Sequence, residues 1–525
     1  MEYTMAATLN RARQGLARFI VAVIFAGVSA CATNPVTGKT ELFGMSGAQE
    51  VEIGEQNYAP MRQSSGGDYD IDPGLTEYVQ GVGNRLAAVS DRELPYEFSV
   101  LNSSVPNAWA LPGGKIAINR GLLTEMGSEA ELAAVLGHEV VHAAAGHTSQ
   151  RAGRGQLLQI LVLGTAIATA DSKYGNYAVG GASLGSQLIN QQYSQGDELE
   201  SDKYGMRYMS RAGYDPQGAV ALQKTFLKLS EGRRSDWLSG LFASHPPSQK
   251  RVDENIQTAS RLPPGGELGV ERYKAAMAKT IEVKPAYDAY DEGMKALADD
   301  NPDLAVAKAE EAIGILPEEG HFYMLRGLAR ASEGQYDSAL TNFNSAIRRR
   351  DDYFQYYLWR GQTYAAMDNY DEAVNDLQKS NSMLPTAQAF YYLGAIAAKR
   401  GDRRAAIENF SKVAGDNNQL ARSARDELAK LELSDHPEKY VYRRCDPGSD
   451  GKLIVSIKNA TSLDIAGIAF AVDYTDSEGR TQRYTRTLNG VLGAGRVVEV
   501  NTQLGPYAAG SNCPVQITAA RVYER

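Results

Sequence analysis

Ser128-Glu129-Ala130-Glu131-Leu132-Ala133-Ala134-Val135-Leu136-Gly137-His138-Glu139-Val140-Val141-His142 reads as a helix that carries chemistry. Ser128 with Glu131 three residues later is a capping-box pattern, and Leu132, Val135 and Leu136 supply an apolar face. His138 and His142 are four residues apart, so on an α-helix both imidazoles point the same way and can share one metal ion. Glu139 lies beside them, suited to hold a metal-bound water rather than the metal. An otherwise apolar helix with two buried-looking histidines and a glutamate is costly unless those groups are liganded. The competing reading is a solvated helix face.

A catalytic zinc site needs a third protein ligand and an open position for water. A histidine ten residues after the first, as metzincins use, is excluded because that position is Thr148. His147 is nine residues on, off the ligand face, and is expected to be structural. A downstream carboxylate is the other source. Glu198-Leu199-Glu200-Ser201-Asp202 begins 56 residues beyond His142, in a helical stretch. By residue type and position Glu198 and Glu200 are rival ligands, and Asp202, one turn after Glu198, is suited to hold the outer N–H of a ligand imidazole.

Upstream, Lys115–Asn119 has strand character, preceded by Asn107-Ala108-Trp109-Ala110-Leu111-Pro112-Gly113-Gly114. An extended substrate can add to an exposed strand edge there, with Asn107, Ala108 and Trp109 along it. Gly113 and Gly114 would leave room for the approaching backbone. The plainer expectation is a core strand with a tight turn, and for Trp109 a core position. Residues 152–192, rich in Gly, Ala, Ser and Leu, separate the two halves of the site; they read as a mobile lid or as a helical hairpin. Pro246 and Pro247 follow His245, which puts that histidine on a loop or turn.

The first thirty residues read as an export signal. Arg11, Arg13 and Arg18 precede an apolar run, Phe19 to Ala30, of 12 residues, short of the roughly 20 that span a bilayer. The run ends Val28-Ser29-Ala30-Cys31, which resembles the lipobox of bacterial lipoproteins; the resemblance implies cleavage before Cys31 and lipidation of its thiol. Ala32 rather than Asp then implies the outer membrane. Cleavage removes three arginines and Glu2, taking the net charge from −9 to −11. Export puts Cys445 and Cys513 in an oxidising compartment, where a disulfide between them is expected. Three cysteines among 525 residues exclude a disulfide-dense miniprotein and a thiolate zinc cluster. Hydrophobic residues at 43% and charged residues at 22% are globular values, and the acidic balance leaves no basic face for nucleic acid.

Gly293, Gly327, Gly361 and Gly394 recur at intervals of 34, 34 and 33, and Ala305, Ala339, Ala373 and Ala406 keep the same intervals. Ala309, Phe343, Leu377 and Phe410 each lie four residues beyond one of those alanines, and Pro317 and Pro385 close two units. This period resembles tetratricopeptide repeats, which implies an α-solenoid of four units over 285–433. Tyrosines crowd the array, Tyr323 and Tyr356 among them, to pack helices or line a partner-binding surface. Residues 440–525 alternate apolar and polar, as in Leu453-Val455-Ile457 and Ile468-Phe470-Val472-Tyr474, and predict a C-terminal β-sandwich that looks Ig-like.

Taken in order, Asn107–Lys115, His138–His147, Tyr193-Ser194 leading to Glu198 and Asp202, and Ser244-His245-Pro246 with Arg251 resemble zinc metallopeptidase family forty-eight. The match covers residues 35–260, and with the repeats it resembles the periplasmic branch of that family through residue 433. Gln195-Gly196 departs from the family, whose members often carry Arg and an acidic or amide residue there. The resemblance implies a multidomain protein whose metalloprotease domain is mainly α, of gluzincin type, with a small β-sheet. Carried over by position, His138, His142 and Glu198 hold one zinc ion per chain, Glu139 is the general base, and Glu200 is set aside as a ligand. His245 either donates to the oxyanion or fills the open position and holds the enzyme latent. The expected order is a lipoprotein signal over 1–30, a tether and N-terminal segment over 31–70, the protease over 71–261, a linker over 262–284, the repeats over 285–433, and the sandwich over 440–525. The implied function is an endopeptidase lipid-anchored at the outer membrane and facing the periplasm. Unfolded or misassembled envelope proteins are its implied substrates, and outer-membrane assembly machinery a partner of the repeats. The rival reading is a chaperone or scaffold lipoprotein with a vestigial protease domain, against which the intact Glu139 speaks.

Overall fold

The computed structural model describes residues 31–42, 45–152, 193–231, 239–475, 479–505 and 513–523. The chain packs as two compact units, the first holding residues 31–363 with 379–384 and the second 364–378 with 385–523, counted over the described residues. No helix among the described residues is long and apolar enough to cross a membrane. The signal over 1–30 and, from residue 153 onward, the lid or hairpin over 152–192 lie outside the described residues.

In the first unit, β1 (Cys31–Thr33) pairs antiparallel with β2 (Thr40–Leu42). Helix α1 (Gly47–Ser64) starts at a full capping box of Ser46 and Gln49. Helix α2 (Pro73–Ala87) has Asp72 as cap and proline in its first turn. A three-stranded sheet follows in the order β3 (Glu97–Leu101), β5 (Lys115–Asn119), β4 (Ala108–Leu111), with β3 parallel and β4 antiparallel to β5. Among the described residues no strand pairs with the other side of β4. After the short α3 (Arg120–Leu123) comes α4 (Glu129–Ala144), the helix of the quoted stretch. Ser128 Oγ accepts from Glu131 N–H at 3.2 Å, and every residue of α4 except Glu131 is buried. Helices α5 (His147–Ala152), α6 (Gln195–Arg211), α7 (Gln217–Glu231), α8 (Ser239–Ser244) and α9 (Gln249–Arg261) complete the surroundings of α4.

Three expectations about organisation change. Residues 31–70 are not a loose tether: Asn34 is buried with its amide donating to Ala145 O at 3.3 Å, and Tyr58 and Met61 of α1 share a core with Leu101, Trp109 and Leu111. Residues 262–284 are not an open linker. They form α10 (Val270–Glu282), whose Tyr273 and Met277 are buried in the main core and whose Tyr273 hydroxyl donates to Leu123 O at 2.6 Å. An amphipathic helix that places an aromatic into a core is an element of that core. Nor does the main core stop where the repeats start. Ala286, Tyr287 and Ala289 of α11 (Lys284–Ala298), Ala312 of α12 (Pro302–Ile315) and Phe322 of α13 (Gly320–Ser332) all belong to it.

The repeat logic holds in the helices. Adding a Cβ at Gly327 would bring it within 2.7 Å of the Phe343 ring on α14 (Tyr336–Arg349), so the glycine admits the partner helix's large side chain. Helices α15 (Phe354–Ala366) and α16 (Tyr370–Met383) continue the array. In the second unit, Gly394 of α17 (Ala387–Lys399) meets Phe410 of α18 (Arg403–Ser411) in the same manner, and α19 (Gln419–Glu432) ends the helices. Then come two antiparallel sheets: β6 (Val441–Pro447), β7 (Leu453–Asn459) and β11 (Val497–Asn501) form one, and β8 (Ile465–Thr475), β9 (Thr481–Thr487), β10 (Val491–Leu492) and β12 (Val515–Val522) the other. Val455 and Ile457 from the first and Phe470 and Val472 from the second share one core. Cys445 is bonded to Cys513, with Cα atoms 6.2 Å apart.

Candidate metal centre

Two helices build the centre, and their close crossing follows from two glycines. A Cβ at Gly205 of α6 would lie 3.0 Å from Gly137 C and from His138 N, and one at Gly137 would lie 3.2 Å from Gly205 O. With hydrogens there instead, α6 brings Glu198 and Asp202 against His138 and His142. His138 Nε2 and His142 Nε2 are 2.9 Å apart. Glu198 Oε2 is 3.5 Å from the first and Glu198 Oε1 3.3 Å from the second. His245, following α8, puts Nδ1 3.0 Å from Glu198 Oε1 and 3.3 Å from His138 Nε2. One donor atom from each of His138, His142, Glu198 and His245 lies within 4.8 Å of the other three, and all four residues are buried.

Glu139 sits behind this cluster, 2% exposed, with Oε1 3.7 Å from His245 Nε2 and Oε2 buried without a hydrogen-bond partner. Burial pushes its carboxyl above the usual range. Asp202 Oδ1 is 2.9 Å from His138 Nδ1, the ring nitrogen turned away from the cluster. Arg251 of α9 bridges the acids, with Nε and Nη2 each 2.7 Å from Asp202 oxygens and Nη1 2.7 Å from Glu198 Oε2. Burial would raise both carboxyls, but Arg251 for Asp202, and His245, His138 and Arg251 for Glu198, hold them below the usual range. Burial, then the neighbouring His138 and His147, keep His142 well below its usual value. At His138 burial is outweighed by Glu198 and Asp202, which push it up to about 10.

These residues fit a divalent cation. Three imidazoles and a carboxylate converge, the Glu198 and Asp202 carboxyls are held below the usual range, and Glu139, with its orphaned oxygen, lines a cavity with His138 and His245. Nitrogen and oxygen donors without thiolate suit a catalytic zinc. Glu200, the rival ligand, lies away from the cluster, with Oε1 3.3 Å from His147 Nε2.

The substrate-edge residues divide. Ala108 lines the cavity at His138 and Glu139, together with Leu122, Val135 and Leu241. Asn107 is buried and its Oδ1 accepts from Ala108 N–H at 3.0 Å. Trp109 packs edge-on against Tyr58 at 6.0 Å and is core. Gly113 and Gly114 do not open space for a second chain. Their φ of 81° and 89° shape a turn, and Cβ atoms there would strike Val51 Cα at 2.6 Å and Tyr96 at 3.0 Å. The backbone that approaches Gly113 is the protein's own α1.

One contact escaped the sequence reading. Counting along a straight helix puts His147 off the ligand face, yet its Nδ1 is 2.9 Å from His142 Nδ1. Gly146, at φ 68°, ends α4 and turns the chain back. Its position directly after the apolar run is the signal that was available.

Residues 73–258 match the model of peptidase family M48, and residues 354–385 that of a tetratricopeptide repeat. The chain is 31% identical over 242 residues to the beta-barrel assembly-enhancing protease of Yersinia pestis, an alignment covering 44% of this chain and 48% of the relative. It is 24% identical over 359 residues to the protein of the same name from Escherichia coli K12, covering 67% and 70%. To metalloprotease LoiP of Escherichia coli K12 it is 31% identical over 179 residues, covering 34% and 66%. The chain thus spans about half the length of the first of these relatives. The converging histidines and glutamate lie inside the matched segment, and the 34-residue period continues beyond it: this protein carries a peptidase family M48 domain followed by tetratricopeptide repeats.

Proposed function

We propose that the chain is a zinc-dependent endopeptidase holding one zinc at His138, His142 and Glu198. The observation that supports it most is the meeting of those three donors at a buried point, beside a cavity that His138 and Glu139 both line. Zinc bound there would act as a Lewis acid on a peptide carbonyl and lower the pKa of water toward about 7. Glu139 Oε2 takes the proton of the attacking water and returns it to the leaving amine. Its raised pKa favours carrying that proton between the two steps. Asp202 fixes the orientation of His138, and Arg251 keeps Asp202 and Glu198 ionised. An extended substrate would lie along the side of β4 that no described strand pairs, with Ala108, which lines the cavity at His138 and Glu139, nearest the reacting bond.

His245 is read as a latch: its Nδ1, 3.0 Å from Glu198 Oε1, would be available as a further ligand to a bound zinc and would then keep out the attacking water. In the open state the same imidazole would instead donate to the oxyanion. Cys31 is lipidated and tethers the protein to the outer membrane facing the periplasm, where the Cys445–Cys513 disulfide persists. The repeats bind unfolded or stalled envelope proteins and their assembly machinery; for the link to assembly, the support is the relatives' name, beta-barrel assembly-enhancing protease. The C-terminal sheets form an Ig-like accessory sandwich.

Glu139→Gln tests the reading. The amide keeps shape and zinc but cannot act as base, so peptide hydrolysis should fall by roughly 10²–10⁴ at unchanged zinc content. Full hydrolysis by the variant with one zinc bound would overturn the mechanism.

A further inference from the structure

We propose that His147 and Glu200 form a relay that positions the zinc ligand His142. The inference rests on the metal reading above and goes beyond it, since neither residue is a ligand. Each ligand histidine turns Nε2 toward the cluster and leaves Nδ1 outside. For His138 the outer nitrogen meets the Asp202 carboxylate at 2.9 Å. For His142 it meets another imidazole, His147 Nδ1, also at 2.9 Å.

Two facing ring nitrogens cannot both donate or both accept. A metal-ligating imidazole keeps its lone pair on the metal side, so His142 carries its proton on Nδ1 and donates outward. His147 Nδ1 is then the acceptor. That fixes the proton of His147 on Nε2, which faces Glu200 Oε1 at 3.3 Å. Ser201 Oγ lies 3.3 Å from the same His147 Nδ1. Glu200 is 17% exposed and has Lys39 Nζ at 3.9 Å, so its charge is tolerated at the rim of the site. His147 itself is 3% exposed, and its ring stands edge-on to His142 with centroids 4.9 Å apart.

The two ligands are therefore supported unequally. His138 has a carboxylate directly on its outer nitrogen, whereas His142 has one an imidazole further away. Gly146 makes the second arrangement possible, because its left-handed conformation reverses the chain between the two histidines.

The test compares zinc binding by the full mature chain and by variants, using competition with a chromophoric chelator. Gln at position 147 retains an acceptor for His142 and a donor for Glu200; Leu retains bulk and removes both. His147→Leu should raise the zinc dissociation constant about 10–100-fold, and His147→Gln should recover most of that loss. A role in packing alone predicts the reverse ranking. Glu200→Ala, altered at the rim where folding tolerates change, should weaken zinc by about tenfold, the low end of that range. Zinc bound by His147→Leu as tightly as by the natural chain, Gln no better than Leu, or an unaffected Glu200→Ala would each overturn the relay. Failure of the natural chain to bind zinc one to one would instead overturn the metal reading itself.

Discussion

At the scale of single residues, Arg251 carries more than its distance from the reaction suggests. It is 3% exposed and contacts two buried acids of the site, Glu198 and Asp202. Removing one partner from a buried ionic cluster leaves uncompensated charge, at a cost of about 3–5 kcal/mol. Arg251→Met should therefore destabilise the zinc-free protein by about that amount. Zinc should restore part of it, because a divalent cation beside Glu198 replaces some of the lost attraction. Denaturant unfolding with and without zinc checks both; equal loss in the two conditions would show that Arg251 supports packing rather than the charge of the site.

At the scale of elements, the crossing of α4 and α6 decides whether the ligands meet. Ala is the better helix former by about 1 kcal/mol, so Gly205→Ala would stabilise an isolated α6. In the folded protein the new methyl meets backbone at 3.0 Å on α4, where no side chain can swing away. Overpacking of that kind costs about 1–3 kcal/mol and parts the helices. The variant should fold with a lower melting temperature and bind zinc more weakly, measured by calorimetry and metal competition. Unchanged zinc affinity would mean that the ligands do not depend on the closeness of the crossing.

At the scale of the molecule, the first repeat helices are structural parts of the unit that holds the metal centre. Tyr287 and Phe322 lie in its core, and Glu319 accepts from Asn102 Nδ2 at 2.8 Å, from the Tyr287 hydroxyl at 2.6 Å and from His321 N–H at 3.0 Å. A chain ended at residue 283, before α11, should therefore lose stability and peptide hydrolysis together, as read by melting and by cleavage of an unstructured peptide. Retained hydrolysis would show that the repeats serve only to bind. The same junction gives a pH dependence. Burial would raise the Glu319 carboxyl, but His321 and its hydrogen-bond donors hold it well below the usual range. A depressed folded-state pKa contributes stability above the unfolded value, about 4.3, that is lost as pH falls below it. Glu319→Gln should lower stability at pH 7 by about 1.5–3 kcal/mol, and the deficit should shrink below about pH 4. A deficit independent of pH would assign the loss to shape rather than charge.

The local chemistry was legible in the chain. His138, Glu139 and His142 were readable because helical spacing alone puts both imidazoles on one side, and the repeats because glycine and alanine keep phase with helix crossings. The alternation of the C-terminal strands was readable because burial on one face writes period two into sequence, whereas Lys115–Asn119, buried at every position, showed only as a short strand-like run. Glu198 and Arg251 came through family resemblance, since spacing left Glu200 equally open, and Asp202 was readable from its place one turn after Glu198. Only the tertiary structure decided the rest. It turned Gly113 and Gly114 toward the protein's own α1, made a core helix of the supposed linker, and brought His147 back onto His142 through Gly146. Those outcomes depend on which distant backbone approaches and on the sign of a single φ. Neither leaves a periodic mark, because a contact between residues far apart in sequence is set by the packing of whole elements and not by the pattern within either one.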